Sequence, residues 1–295
     1  MSEHSQTAFT LINTQNGNLA FKLFSFDDNS YFDHLQRNNY YSLVWVKGGE
    51  GTVKADFSSH EFGPNTLFSF SPYQPFMFSA PAEIEGIALQ FHPDFFCIHK
   101  HHQEVACHGV LFNNIYQPPL VQVDAATSDA LSLIIEQLKA EMQIPALAQH
   151  ELLISFLKII LITLSRLKTD QHPEASTAVA NLKEPFVLQN LKEAIERDFK
   201  TKHSASDYAT TLNISPKALA KIVKGHFNKT LTDLISERII IEAKRELYLT
   251  NKAVKQIAYE LGYEDEYYFS RFFKVNTDIS PQLYRDTVGF DRSNS

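Results

Sequence analysis

One short pattern occurs twice near the end of the chain, and it restricts the fold of that region more than any other feature. "DYATTLNISPKALAKIVK" (207–224) and "QIAYELGYEDEYYFSRFFK" (256–274) each carry an alanine followed three residues later by a leucine, then a turn, then two apolar residues separated by three spacers, and a lysine. These positions are Ala209, Leu212, Leu219, Val223 and Lys224 in the first copy; in the second, whose turn is one residue longer, they are Ala258, Leu261, Phe269, Phe273 and Lys274. A small residue lets two helices cross closely, Asn213 or Gly262 tolerates positive φ in the turn, and Ser215 or Asp265 caps the following helix. Pro216 takes the first helical position, where a missing N–H costs nothing.

Two helices joined at a steep angle by a tight turn form a helix-turn-helix unit, whose second helix enters a major groove. With Leu219 and Val223 inward, Lys217, Ala220, Lys221 and Lys224 fall on the outer flank. With Phe269, Phe272 and Phe273 inward, Glu266, Tyr267, Ser270, Arg271 and Lys274 do the same. Arg271 is the strongest candidate base contact, because a guanidinium pairs bidentately with guanine O6 and N7 for about 1–3 kcal/mol of discrimination. An ion pair with Glu264 or Glu266 is the competing reading, and both glutamates oppose a polyanion. Between the copies, Leu234, Ile235, Ile239, Ala243 and Leu247 recur at helical spacing. A helix there, at about 1.5 Å per residue, would hold the two units near one duplex turn apart, about 34 Å. Charge helps little: the net −7 divides into +2 for residues 181–295 and −9 for the remainder.

The length of 295 residues favours two domains. From about Phe9 to Tyr116, runs such as "YYSLVWV", "GTVKADF" and "TLFSFSP" are bounded by Gly, Pro, Asn and Ser, which predicts an antiparallel sandwich or small barrel, the barrel spanning about 9–118. The period then becomes 3.6, predicting a helix hairpin over about 127–167, with one helix from Thr127 to about Met142 and the next after Pro145. The stripe Leu152, Leu153, Phe156, Ile159, Ile160, Leu164 and Leu167 is wide enough to be covered by the barrel on one flank and a second copy of the chain on the other. The predicted domains are 1–168 and 182–288, with a polar linker at 169–181. No secretory pattern opens the chain, the two cysteines fit a reducing cytoplasm, and the longest apolar run, broken by Lys158, is too short for a bilayer.

Arg238, Ala243 and Leu247, then Ile257, Ala258, Leu261, Gly262 and Tyr263, then "YFSRFFK" (268–274) and "ISPQLYR" (279–285) together resemble the AraC/XylS family of bacterial transcription regulators. The resemblance covers about the last hundred residues. It implies that Lys217, Ala220, Lys221, Lys224, Glu266, Tyr267, Ser270, Arg271 and Lys274 contact double-stranded DNA, and that Asn228 and Asp278 replace the family's usual glycines after the recognition helices. It further implies a cupin-like N-terminal barrel that binds a small-molecule effector; the wide apolar stripe predicts a homodimer formed through the helix hairpin, and RNA polymerase is expected as a partner if the protein activates. The expected fold class is therefore α+β, a barrel with a helix hairpin followed by an all-α domain.

Aromatic residues at barrel positions, Tyr41, Trp45, Phe68, Phe70 and Phe76, are candidates for an effector pocket, although most aromatics in such a domain are core. A metal-dependent cupin enzyme needs a His-x-His pair and a Glu at barrel spacing, and the stretch "GEGTVKADFSSHEFGPNTLFSFSP" that resembles the barrel hairpins offers only His60 and Glu61, so no catalytic residue and no cofactor are expected. Cys97, His99, His101, Cys107 and His108 form a dense cluster, but their spacing matches no closed zinc site. The alternatives are a regulator whose first domain only dimerises and a cupin enzyme fused to a DNA-binding domain.

Overall fold

The structure, a computed structural model, describes residues 8–13, 17, 19–101, 105, 109–144, 146–171 and 186–288. It divides into two compact units, Met1–Asn114 with Pro118–Thr177, and Ile115–Gln117 with Ala178–Ser295. The first is built from β1 (Phe9–Ile12), β2 (Leu19–Phe26), β3 (Tyr41–Gly48), β4 (Gly51–Ala55), β5 (Ser58–Phe62), β6 (Thr66–Phe70), β7 (Phe76–Ser79), β8 (Glu85–Phe91), β9 (Leu120–Gln122), α1 (Ala125–Gln143) and α2 (Gln149–Gln171). Strands β1-β2-β8-β3-β6-β9 form one antiparallel sheet and β5-β4-β7 a second.

The central strand β3 explains the layering. Its apolar run is buried on both faces: Tyr41, Leu43 and Trp45 join the core shared with Leu131, Leu138, Leu153, Leu157 and Leu161 of the hairpin, whereas Val44 and Val46 join Val53, Phe62, Phe76 and Phe78 of the smaller sheet. A strand covered on both sides reads as a continuous hydrophobic run. The expected cupin-like barrel is therefore corrected, and with it the barrel part of the family resemblance and of the fold class. The larger sheet is open, with β1 and β9 at its edges, and no ladder between the named strands joins it to the smaller sheet. A sandwich layer and a barrel wall share the same inward and outward alternation, so strand patterning does not distinguish closure from stacking. What stands is a mixed α+β chain with an N-terminal sheet unit and C-terminal helices.

Helix α1 starts two residues before the expected Thr127, because Asp124 is its cap and accepts from the Thr127 N–H at 2.9 Å. At the far end of the hairpin, Gln171 is bonded to both the N–H and the carbonyl of Gln122 on edge strand β9. One turn earlier Lys168 is buried, and its ammonium donates to the Pro118 carbonyl at 2.9 Å. Burial pushes its pKa down to about 7.

The second unit is helical: α3 (Phe186–Asp198), α4 (Ala205–Thr211), α5 (Pro216–Phe227), α6 (Leu231–Leu249), α7 (Val254–Glu260), α8 (Glu266–Thr277) and α9 (Pro281–Val288). The long helix α6 is its axis, and Leu234, Ile235, Ile239, Ala243 and Leu247 are all buried. Arg285 of α9 donates to the carbonyls of Leu247 and Lys252, tying the last helix to the end of α6.

The Lys168 ammonium has a folded-state pKa near 7 against about 10.4 in an unfolded chain. Its burial cost is therefore full below pH 7 and shrinks as pH rises from 7 towards about 10. Lys168→Met, which keeps the apolar stem, is expected to stabilise the protein by roughly 2–3 kcal/mol at pH 6 and by much less at pH 9. Urea unfolding at the two pH values checks this; an equal effect at both contradicts it.

Candidate nucleic-acid interface

Both repeated segments fold as helix pairs, and local chemistry sets each corner. In the first, Ser204 and Asp207 form a reciprocal capping box at the start of α4, and Asn213 takes φ 54° in the turn. Ser215 then accepts from the Ala218 N–H, with Pro216 opening α5. In the second, Gly262 takes φ 81°, and the Asp265 carboxylate accepts from the Tyr267 N–H at 2.7 Å as α8 begins. Ala209 and Ala258 are buried where the short helices cross the units' cores. Helices α5 and α8 end on Asn228 at φ 54° and Asp278 at φ 63°, so the two residues that stand in for glycine adopt the left-handed backbone. Glycine itself is required at 262, since a Cβ there would lie 2.1 Å from the Lys200 carbonyl oxygen.

The packing decides which side chains remain outside. Leu219, Val223 and Phe227 of α5 are buried, and Lys217, Ala220, Lys221 and Lys224 are exposed. Phe269, Phe273 and Thr277 of α8 are buried; Tyr267, Arg271 and Lys274 are exposed, and Glu266 and Ser270 are half-buried. The sequence-derived contact residues thus occupy one face of each second helix.

Electrostatics separates these outer cations from the rest of the unit. Lys200, Arg238 and Arg245 converge on Glu242, Arg245 and Lys252 on Glu246, and Arg197 and Lys202 on Asp198; Lys229 pairs with Glu237. Burial alone would raise the Glu242 carboxyl, but the Arg245 hydrogen bond and the charges of Arg245, Arg238 and Lys200 outweigh it and bring its pKa down to about 2. By contrast, among the described residues no carboxylate lies within ion-pair distance of Lys217, Lys221, Arg271 or Lys274. The competing ion pair of Arg271 with Glu264 or Glu266 is not formed. Lys224 differs from its neighbours, donating to the Asn228 carbonyl at 3.0 Å as a cap for its own helix.

Two exposed side chains on α8 escape the sequence reading, Tyr268 at 65% and Val275 at 73% exposure. Helical spacing places both beside Arg271, but their apolar character reads as core.

The five aromatic pocket candidates are split between two cores. Tyr41 and Trp45 face the helix hairpin, while Phe68, Phe70 and Phe76 pack between the sheets, with Phe70 and Phe76 stacked at 3.7 Å between centroids. The indole N–H of Trp45 and the hydroxyl of Ser165 are buried without a hydrogen-bond partner among the described residues. No group of three or more His, Cys, Asp or Glu among the described residues is arranged to hold a metal. Cys97 is buried and His101 stacks on Phe96, whereas Cys107 and His108 lie outside the described residues. No helix among the described residues is long and apolar enough to cross a membrane.

A family model described as a helix-turn-helix domain matches residues 208–287. The transcriptional activator AarP of Providencia stuartii is 31% identical over 99 residues, covering 34% of this chain and 73% of that protein. The raffinose operon regulator RafR of Pediococcus pentosaceus is 30% identical over 95 residues; the match spans 32% of this chain and about a third, 34%, of that protein's length. Among solved structures, ToxT from Vibrio cholerae aligns over 96% of this chain and 97% of its own at 15% identity, with a TM-score of 0.39.

Gly262→Ala is expected to destabilise the second unit by about 2–4 kcal/mol, through the left-handed φ and the collision with the Lys200 backbone. Asn213→Ala, with no such neighbour to displace, is expected to cost about 1 kcal/mol. Chemical denaturation of both variants checks the order, which a milder Gly262→Ala would reverse.

Proposed function

Because this chain belongs to the helix-turn-helix transcription regulators, we propose that it binds duplex DNA through α5 and α8 together, as a double unit of the AraC type. The observation that carries this reading is the set of outward cations, Lys217, Lys221, Arg271 and Lys274, which have no carboxylate partner among the described residues in a unit with extensive ion pairs elsewhere. At about 1.5 Å per residue, the 19 residues of α6 make a rod of about 28 Å, a span comparable with one duplex turn.

The two outer faces have different chemistry and hence different tasks. Helix α5 presents lysines with Ala220, point charges suited to phosphates, and Ala220 adds only a methyl. Helix α8 presents Arg271, whose planar fork suits guanine, beside Tyr267 and Ser270. The first unit anchors and the second discriminates.

A second reading concerns control by a small-molecule effector in the first unit. The buried indole N–H of Trp45, without an acceptor among the described residues, supports it, since a ligand oxygen would satisfy that donor. Quenching or shift of Trp45 fluorescence on adding candidate metabolites tests it. The exposed flank of α2, with Leu152 and Ile159 at 42% and 46% exposure, supports association with a second copy. RNA polymerase is a partner where the bound site lies so as to activate.

Lys217→Ala and Lys221→Ala are expected to weaken binding to all duplex sequences alike and to lower the slope of log K against log salt by about 0.9 each. Arg271→Ala is expected to relax preference at one base position by about 1–3 kcal/mol. Salt titrations and selection from a randomised duplex pool read both; sequence-dependent losses from the lysine variants, or an unchanged preference without Arg271, contradict the assignment.

A further inference from the structure

Helix α8 presents more apolar surface around Arg271 than an ordinary solvated helix face. Tyr267, Tyr268 and Val275 are 84%, 65% and 73% exposed. At about 100° per residue, Tyr268 and Val275 lie about 60° and 40° from Arg271, on the side opposite Tyr267 and Lys274. Within α8 this flank carries no acid: Glu266 lies at the far side of the helix and is half-buried, Asp265 is committed to the cap, and the exposed acids Glu264 and Asp278 lie outside the helix, before and after it. Helix α5 has no equivalent, since its outer face holds lysines, alanines and Gly225. The apolar flank is thus particular to the helix that bears the base-reading arginine.

We propose that Tyr268 and Val275 read thymine C5-methyl groups next to the guanine held by Arg271. This deepens the DNA-binding reading above and rests on it. In the major groove only thymine offers a methyl group, which is recognised by apolar contact rather than by hydrogen bonds. A side chain that is apolar, exposed and beside the arginine supplies that contact, and a neighbouring cytosine would lack its partner. Tyr268 and Val275 are therefore specificity-determining residues, and the second half-site is a guanine flanked by thymine.

The test uses the full-length chain. A preferred duplex is selected from a randomised pool, and each thymine of the selected site is replaced singly by uracil, which removes the C5-methyl and leaves every hydrogen-bonding edge intact. Wild type is expected to lose about three- to fivefold in affinity at one or two thymines beside the guanine, the loss appropriate to one buried methyl. Val275→Ser and Tyr268→Ser are expected to bind thymine and uracil duplexes equally at those positions. Val275→Ser is the more informative variant, because Tyr268 packs on Tyr263 with ring centroids 5.9 Å apart. If wild type tolerates uracil everywhere while Arg271→Ala still relaxes one base, the methyl inference is overturned and α8 remains the reading helix. If Arg271→Ala also leaves the preference unchanged, the reading of α8 itself fails.

Discussion

The buried carboxylate of Glu242, in the middle of α6, is the interaction around which the second unit is organised. Three cations reach it: Arg245 at 2.8 Å, Arg238 at 3.3 Å and Lys200 at 3.6 Å. They come from different places, two from α6 itself and one from the segment joining α3 to α4. Arg238 also reaches Glu196 of α3 and lies over the Phe199 ring at 4.0 Å. A buried charge is costly unless paired, so the carboxylate holds its partners in place as strictly as they hold it. One consequence reaches the second corner. The Lys200 carbonyl is the atom against which Gly262 packs, so the segment gathered by Glu242 also forms the wall behind the turn that aims α8.

The same network sorts charge over the unit. Carboxylates on α3 and α6 bind the cations that face inward or lie along the connector, and the cations of α5 and α8 are left facing out. Net charge could not reveal this, because +2 over residues 181–295 is a sum over paired and unpaired groups alike. What matters to a polyanion is which cations lack a carboxylate partner, and Lys217, Lys221, Arg271 and Lys274, which have none among the described residues, sit on the two helices that the repeated pattern singles out.

Much of the helical half was legible in the sequence because its corners are determined within a few residues. Asn213, Gly262, Ser215 and Asp265 do what their side chains and backbones allow locally, and Asn228 and Asp278 take the left-handed turn for the same reason. The sheet unit was less legible because its arrangement is non-local. Trp45 and Phe68 are near neighbours in the sheet, on β3 and β6, yet they point to opposite cores; pairing register, which depends on distant segments, decides that. Closure versus stacking of the sheets is likewise a matter of which edges meet, and alternation within a strand is silent about it. Tyr268 and Val275 were missed for a different reason. Hydrophobicity is a one-way guide: apolar residues are usually inside, but the rule carries no information about the ones that are not.

The acids at the start of α8 gain a meaning from this asymmetry. Asp265 is spent on the cap, but Glu264 is exposed and Glu266 half-exposed close to where a duplex backbone would pass. Repulsion there would lower affinity for any sequence, and in the proposed DNA-binding mode the lysines of α5 would compensate for it without regard to sequence. A helix that attracts DNA weakly on general grounds discriminates better, since a larger share of its binding comes from contacts that only the right bases provide. Joined by α6, the anchoring helix raises the effective concentration of the discriminating one at every site it visits. On the proposed division the chain would sample duplex DNA through α5 and commit through α8, and this would depend on the connector holding the two at a fixed spacing, which returns the burden to the buried carboxylate at its centre.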